Sequence, residues 1–165
     1  MYRFFVRPLL FLFPPEFIHH VTFNLLRVVG KFPGALSLFH RVFTLQNPKL
    51  GRRLFGLTFP NPVGLAAGFD KNALLIDELS AFGFGFIEIG TLTPRPQPGN
   101  DKPRLFRLPA DQALINRMGF NNEGVEEAVK HLRNRKSNVL VGGNIGKNKV
   151  TPNEKAFEDY TECFE

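Results

Sequence analysis

Short apolar segments alternate with helical segments from Leu57 onward, and this alternation is the strongest constraint on the fold. The apolar segments are Val63–Ala67, Phe86–Thr91 and the start of "NVLVGGNIGKN" at residues 138–148. Strands that alternate with helices are typical of a parallel sheet with right-handed crossovers. The sequence therefore predicts an α/β fold in the order strand, helix, strand, irregular segment, helix, strand, helix.

The helical segments are indicated by their apolar spacing and their charges. The first helix carries one apolar stripe that Gly83 would end, made by Leu74, Leu75, Leu79 and Phe82. The second, "EGVEEAVKHLRNRK", has its acidic residues early and its basic residues late, which suits the helix dipole. The third is "NEKAFEDYTECFE". We predict that Asn121 or Asn122 caps the second helix.

Each predicted strand runs into a polar loop that contains glycine or asparagine. The loops are "AAGFDK", "EIGTLTPRPQPGN" and "GGNIGKNK". In parallel α/β folds, ligands bind at the carboxyl ends of the strands. The small residues of the first loop would let a flat ligand approach the backbone, and Lys71 could fix an anionic group. We therefore expect a site for a planar, polar and anionic ligand.

Several other classes of site are excluded by spacing. "GFGFIEIG" has Glu88 at the third glycine position of a dinucleotide-binding loop, and "NIGKNK" lacks the residues of a P-loop. The four histidines are scattered, so no metal site is predicted, and no Ser-His-Asp arrangement is indicated. The one cysteine, Cys163, cannot form an internal disulfide and indicates a reducing compartment.

The excess positive charge lies in the first third of the chain. Residues 1–59 contain eight lysines and arginines but one acidic residue, Glu16, whereas residues 60–165 contain 13 basic and 14 acidic residues. Eleven of the 19 phenylalanines also lie in residues 1–59. Such asymmetry indicates a segment that binds a surface.

Two short amphipathic helices are predicted in this basic segment. The first has a stripe of Phe17, Val21, Leu25 and Val28, widened by Ile18, Phe23, Leu26 and Val29, and ends near Gly30. The second follows Pro33 and carries Leu36, Phe39, Val42 and Phe43. The pair could pack on the protein's own core or lie in a membrane interface, and the basic charge favours an anionic membrane. Nucleic acid binding is not favoured, because the aromatic residues have helical spacing.

The first fifteen residues, "MYRFFVRPLLFLFPP", do not have the pattern of a spanning helix. Arg3 and Arg7 interrupt the apolar run, and Pro14 and Pro15 end it well short of the about 20 residues that a span needs. No small-residue cleavage site follows. We expect this segment to remain on the mature chain without crossing a bilayer.

Four sequences together resemble one enzyme family along essentially the whole chain. They are "NPVGLAAGFDKN", "GFGFIEIGTLTPRPQPGNDKPRLFRL", "INRMGFNNEG" and "GGNIGKNK". In order and spacing they resemble the quinone-dependent (class 2) dihydroorotate dehydrogenases, and the N-terminal segment is similar to the bacterial members. A non-enzymatic alternative is a small basic peripheral-membrane binding protein.

The resemblance implies a flavoenzyme of pyrimidine biosynthesis. The family fold is a (β/α)8 TIM barrel that holds FMN at the strand ends, oxidises (S)-dihydroorotate to orotate and passes electrons to a membrane quinone. Residues 1–45 would be the amphipathic helical segment for membrane and quinone access, and residues 46–165 about the first three β/α units of an incomplete barrel. The expected location is the cytoplasmic side of the cell inner membrane, as a peripheral protein.

Site residues are carried over where the family motifs match. FMN contacts are implied for Ala66, Ala67, Gly68, Lys71, Thr91 and Asn144. Substrate contacts are implied for Lys71 and for the "NRMGF" motif, which consists of Asn116, Arg117, Met118, Gly119 and Phe120. His19 and Arg107 match positions near the quinone tunnel.

The chain is much shorter than members of that family, which exceed 300 residues. The family's catalytic serine base has no counterpart, because Ser37, Ser80 and Ser137 lie in none of the matching loops. We therefore expect no catalytic base within these 165 residues. The sequence is interpreted as an N-terminal fragment that would not turn over alone and would tend to aggregate through unpaired strand edges and uncovered apolar faces.

Overall fold

The computed structural model describes all 165 residues. A π-helical turn, Tyr2–Val6, leads into the first helix, and short 3₁₀ turns lie at Pro48–Leu50 and Asn153–Lys155. The helices and strands are, in chain order, α1 (Arg7–Phe11), α2 (Pro15–Val29), α3 (Ala35–Phe43), β1 (Arg52–Leu54), β2 (Leu57–Phe59), β3 (Gly64–Leu65), α4 (Ile76–Ser80), β4 (Phe86–Leu92), β5 (Leu105–Leu108), β6 (Ala113–Asn116), α5 (Val125–Asn134), β7 (Leu140–Ile145) and α6 (Ala156–Phe164).

A three-stranded parallel sheet in the order β3–β4–β7 forms the centre of residues 57–165. In its register, Gly64 lies beside Phe86, and Phe86 lies beside Leu140. The predicted parallel arrangement is therefore confirmed. The sheet is open, and its first strand is short: residues Gly64–Leu65 stand where five residues, Val63–Ala67, were predicted.

The core lies on one face of this sheet, under α4 and α5. Ile87, Ile89 and Leu92 of β4 are almost fully buried there with Leu75 and Leu79. The other face of β4 carries Phe86, Glu88 and Thr91, which are only partly buried. The twofold period of a strand separates an apolar helix-covered face from a polar face as far as Ile89, and the register shift between Gly90 and Leu92 then places Thr91 on the polar face.

Two antiparallel hairpins were not predicted. β1 pairs with β2, and β5 pairs with β6. The second hairpin converts the end of the predicted irregular segment into regular structure and presents "INRMGF" at its C-terminal end. Both hairpins are built from strands of three or four residues, which are too short to show a clear apolar alternation.

Two helix predictions were wrong in detail. α4 is confined to Ile76–Ser80, because the Asp70 carboxylate accepts hydrogen bonds from the backbone N–H groups of Leu74 and Leu75 and holds them in a preceding turn. The N-cap of α5 is Gly124, not Asn121 or Asn122. Asn122 instead accepts a hydrogen bond from the Gly124 N–H at 2.8 Å, so it shapes the turn before the helix.

The apolar stripe of α2 divides between the protein body and the surface. Phe23 and Leu26 pack against the core cluster, which fixes the helix to the body. The predicted stripe of Phe17, Val21, Leu25 and Val28 is exposed instead, each side chain by 44–59 %. On α3, Phe39 and Phe43 pack against Phe82 of the body, with ring centroids 5.2 and 5.1 Å away.

For crossing a bilayer, each helix taken alone is too short or insufficiently apolar. Tyr2–Phe11 and Pro15–Val29 satisfy the length and composition criteria only as a pair, with a bend of 115° between them.

Candidate functional site

The loop after β3 brings a lysine and bare backbone to the carboxyl end of the sheet. Gly68 has φ +113°, a conformation that side chains rarely adopt, and its exposed Cα faces open space. Lys71 follows on the same loop and donates a hydrogen bond to the side-chain oxygen of Asn121. Burial lowers the pKa of Lys71, and the nearby Arg104 guanidinium lowers it further. A partly desolvated ammonium of this kind is well placed to bind an anionic or electron-rich group.

The turn that carries Lys71 is fixed from both sides. Asp70, which is 1 % exposed, caps the Leu74 and Leu75 amides as described above, and burial raises the pKa of its carboxyl group. On the other side, the Asn72 side chain accepts a hydrogen bond from the Glu123 N–H at 3.0 Å. The loop after β3 is thereby joined to the segment that precedes α5.

A chain of polar side chains runs across the open face of the sheet. The Thr91 hydroxyl donates to the Asn144 side-chain oxygen at 2.6 Å, and the Asn144 amide nitrogen donates to Glu88 at 3.0 Å. Gly142 of β7 lies beside Glu88 in the register, and a Cβ there would be 3.8 Å from the Glu88 Cγ. Gly68 thus leaves backbone uncovered at the end of β3, and the polar side chains on β4 and β7 offer both donors and acceptors to a flat heterocycle.

The loop with the "NRMGF" motif is held by the segment that follows β4. The Asn100 N–H donates to the Met118 carbonyl, and its side-chain amide donates to the Arg117 carbonyl, each at 2.9 Å. Gln97 donates to the carbonyls of Gly119 and Phe120 at 3.3 and 3.2 Å. Every carbonyl from 117 to 120 is therefore occupied, which leaves the side chains of this loop free for a ligand.

Asn116 makes a local contact of its own. Its side-chain oxygen accepts a hydrogen bond from the Met118 N–H at 2.9 Å, which is the loop-capping arrangement that its sequence context allowed. Its side chain is exposed, so its amide nitrogen remains available. Phe120 has φ +53° and is 53 % exposed, and its ring faces Gly146.

A cavity of about 680 Å³ lies between α2 and these loops. It is lined by six of the candidate residues: His19, Ala67, Gly68, Lys71, Asn116 and Met118. Ala66, Thr91, Asn144, Arg117, Gly119, Phe120 and Arg107 lie outside its lining. No serine lines it, and Ser37, Ser80 and Ser137 surround a separate cavity beside α3 and α4.

His19 lies on the α2 side of this cavity and is half-buried. Its Nε2 lies 2.8 Å from the Phe69 carbonyl oxygen, and its ring contacts the Phe69 and Phe23 rings at centroid distances of 5.1 and 6.0 Å. Burial lowers the pKa of His19, although the bond to Phe69 opposes the shift. Phe23 and Phe69 thus give this side of the cavity an aromatic wall.

Arg107 on β5 contacts the first helix and not the cavity. Its Nη1 donates to the Phe13 carbonyl at 2.6 Å, and its guanidinium lies 4.3 Å from the centroid of the Phe11 ring. Arg107 therefore attaches α1 to the β5–β6 hairpin. The resemblance places His19 and Arg107 together, near the quinone tunnel. In the structure His19 lies on α2, and Arg107 contacts the segment that precedes α2.

Two residues that line the cavity, Glu16 and Asn121, and one beside it, Arg104, were not identified as site residues from sequence. Glu16 and Arg104 form an ion pair, and Asn121 binds Lys71. Glu16 carried a signal, since it is the sole acidic residue of the first 59. Arg104 and Asn121 lie among other basic or amide residues, so local composition does not separate them from solvated neighbours.

Comparison with known proteins gives one consistent family. The sequence profile of the family described as "Dihydroorotate dehydrogenase" matches residues 49–165. The chain is 64 % identical over 165 residues to a dihydroorotate dehydrogenase (quinone) from Christiangramia forsetii, covering 100 % of this chain and 48 % of the relative. It is 52 % identical over 161 residues to one from Rhodococcus opacus, covering 98 % and 45 %. The chain thus spans about half the length of these curated relatives.

A solved structure is similar in its backbone as well. The crystal structure of a dihydroorotate dehydrogenase from Eimeria tenella in complex with ferulenol superposes with a TM-score of 0.68 at 40 % identity. The match covers 90 % of this chain and 39 % of that one.

Proposed function

The chain belongs to the dihydroorotate dehydrogenase family, and from that premise we propose that the complete protein oxidises (S)-dihydroorotate to orotate, with FMN and a membrane quinone, in pyrimidine biosynthesis. Residues 46–165 would supply the first three β/α units of a (β/α)8 barrel. The proposal is carried by one observation. A single cavity brings the lysine of the β3 loop and the "NRMGF" loop against the helix that bears His19.

The residues at the sheet edge fit FMN. A flat isoalloxazine ring needs uncovered backbone, which Gly68 provides, and it needs donors and acceptors at its edge. Lys71, Thr91 and Asn144 would supply these, and the small side chains of Ala66 and Ala67 would leave room for the ring. When bound, FMN supplies the hydride acceptor for the substrate and the electrons for the quinone.

The substrate would be held by the lysine and the amide-rich loop. Lys71 offers a partly desolvated positive charge to the carboxylate of dihydroorotate. Asn116 offers an exposed amide that can both donate to and accept from the pyrimidine ring. Arg117 to Phe120 are assigned to the same ligand by the family motif, and hydrogen bonds from Gln97 and Asn100 to their carbonyls hold this loop in place.

Residues 1–45 would form the membrane and quinone-access segment. The exposed stripe of α2 and the basic excess of residues 1–59 suit an anionic membrane surface, with apolar side chains below the headgroups and lysine and arginine among them. His19 and Arg107 lie where this segment meets the body, and the aromatic end of the cavity at His19 suits an apolar quinone ring. A peripheral position on the cytoplasmic side of the inner membrane follows from this proposal.

The test is oxidation of dihydroorotate by the complete, FMN-loaded protein. We expect dihydroorotate alone to bleach the flavin once, and continuous turnover to require a quinone. Lys71→Met should abolish bleaching, whereas Lys155→Met, at an exposed position on a 3₁₀ turn, should not. A flavin-loaded wild-type protein that dihydroorotate does not bleach would refute the proposal.

A further inference from the structure

We propose that Glu16 and Arg104 are positioning residues for dihydroorotate, which hold the substrate loop at 116–118 in register with helix α2. This inference rests on the proposed function and adds to it a residue pair that acts on the substrate site through the loop at 116–118. It follows from the contacts that Arg104 makes in three directions.

The first direction is towards α2. The Arg104 Nη2 donates to the Glu16 Oε1 at 2.8 Å, and its Nε lies 3.3 Å from both carboxylate oxygens. The two side chains are nearly buried, with 8 % and 13 % of their surfaces exposed. The Arg104 guanidinium holds the pKa of Glu16 below its usual value. Glu16 sits in the first turn of α2, so this pair fixes the start of the helix.

The second direction is towards the turn at 98–100. The Arg104 Nη1 donates to the Pro98 carbonyl at 2.7 Å and to the Asn100 carbonyl at 2.9 Å. A lysine could not make these contacts together with the bond to Glu16, because it lacks the planar fork of donors. The turn and the helix are therefore tied through a single side chain.

The third direction is towards the substrate loop. The Arg104 carbonyl accepts from the Arg117 N–H at 2.9 Å, and Asn100 bonds the Arg117 and Met118 carbonyls. The contact is close: a Cβ on Gly99 would lie 2.2 Å from the Met118 carbonyl oxygen. A shift of the 98–100 turn therefore cannot be absorbed locally and moves Arg117 and Met118, next to Asn116.

The charges of the pair also act on Lys71. Arg104 lowers the pKa of the Lys71 ammonium, and Glu16 raises it. Neutralising Glu16 would leave the Arg104 charge uncompensated beside the lysine that is proposed to bind the substrate carboxylate. Because loss of the Glu16 charge alone would favour an anionic ligand, weaker orotate binding in Glu16→Gln would report the loss of loop positioning and not the change of charge.

A second cation on the same carboxylate gives a matched control. Lys102 lies 3.4 Å from Glu16, but 65 % of its side chain is exposed and no hydrogen bond joins it to the turn. Solvent-exposed pairs of this kind contribute little. Lys102→Gln should therefore behave like the wild type.

The experiment measures orotate binding and steady-state kinetics in the complete, FMN-loaded protein. We expect Glu16→Gln to raise the Kd for orotate and the KM for dihydroorotate roughly tenfold, the size expected for loss of one charged hydrogen bond, with kcat and flavin content nearly unchanged. Arg104→Lys should show the same change in KM, which covers the case in which Glu16→Gln fails to fold.

The outcomes separate this inference from the proposed function. If wild-type protein binds orotate and the folded variants bind it equally well, the inference is wrong and the proposed function stands. The inference is also wrong if the variants change only the thermal stability or the KM for quinone. In that case the pair would anchor helix α2 without positioning the substrate loop. A flavin-loaded wild-type protein that does not bind orotate would overturn both.

Discussion

Thr91 on β4 donates a hydrogen bond to the side-chain oxygen of Asn144 on β7, across 53 residues of sequence, with 2.6 Å between the two oxygens. Glu88 accepts from the nitrogen of the same amide, so the orientation of the Asn144 side chain is set at both ends. Thr91 and Asn144, which were predicted separately as FMN contacts, are therefore joined by a hydrogen bond into one unit on the open face of the sheet.

This unit predicts that Thr91→Val weakens FMN binding. Valine keeps the shape but removes the donor, so the Asn144 amide is free to rotate. We expect FMN affinity to fall by roughly tenfold and the free energy of unfolding to fall by about 1 kcal/mol. Flavin content after dialysis measures the first effect. Thr161→Val, which removes an exposed hydroxyl bonded to the Phe157 carbonyl, should leave flavin content unchanged.

Asn116→Ala should reduce turnover far more than stability. We expect kcat/KM for dihydroorotate to fall by roughly 10- to 100-fold, as for loss of a substrate hydrogen bond, and the free energy of unfolding to fall by no more than about 1 kcal/mol. Asn47→Ala is a matched control, because Asn47 makes the same side-chain bond to the N–H two residues on, at 3.0 Å. Equal losses of turnover and stability in Asn116→Ala would mean that the residue only shapes its loop.

The lowered pKa of His19 predicts an acid-sensitive contribution to stability. Below the unfolded pKa of about 6.5, the unfolded chain binds the proton more readily than the folded one, so stability falls as pH decreases towards the folded pKa of His19. Above about pH 6.5 the contribution is constant. Urea unfolding at pH 5.5 and 7.5 should therefore show a smaller pH effect in His19→Gln than in the wild type.

The His19 experiment isolates one group among several that titrate. The raised pKa values of Glu78 and Asp70 favour folding at low pH, which is the opposite direction, but they act equally in the wild type and the variant. His20→Gln is the control, because 60 % of its side chain is exposed. An unchanged pH effect in His19→Gln would show that burial of this ring has no energetic consequence.

Asn148→Ala should destabilise the loops after β4 and β7 together. Its amide donates to the Thr93 hydroxyl, the Arg95 carbonyl and the Gln97 side chain at 3.1, 2.8 and 3.0 Å, and its oxygen accepts from the Arg95 N–H at 3.0 Å. Alanine would remove all four hydrogen bonds and leave the Arg95 N–H without its acceptor, so we expect a loss of about 2–3 kcal/mol in chemical denaturation. Asn153→Ala, at an exposed position, should cost less than about 0.5 kcal/mol.

The exposed stripe of α2 predicts binding to anionic vesicles. The double variant Phe17→Ser, Leu25→Ser removes two apolar side chains that are 52 % and 59 % exposed, so it should fold normally yet bind vesicles at least about tenfold more weakly. Val150→Ser, 83 % exposed on the opposite half of the chain, should bind like the wild type. Binding should also weaken as ionic strength rises. If the double variant and the wild type sediment equally with vesicles, the exposed stripe of α2 is not the membrane-binding surface.

The longer helices and strands were predictable from the sequence, and the short strands and the short helix α4 were not. β4, β7, α2 and α5 are long enough to show an apolar period, and each was predicted close to its observed position. The β5–β6 hairpin was missed because its strands have four residues each, β5 being mostly half-buried and β6 exposed throughout, so no apolar alternation marks them. α4 was predicted too long, because the bonds from Asp70 to Leu74 and Leu75 override the helical pattern.

The sequence alone determined the alternation of strands and helices, the polar loops at the strand ends and the family motifs within them, because each depends on residues that are neighbours in the sequence. Only the tertiary structure decided which loops meet, and which face of α2 is buried. Arg104 reaches Glu16 across 88 residues, and Lys71 reaches Asn121 across 50. Such pairs depend on how β3, β4 and the β5–β6 hairpin are stacked, and that stacking is fixed by burial of the shared core, not by any local pattern.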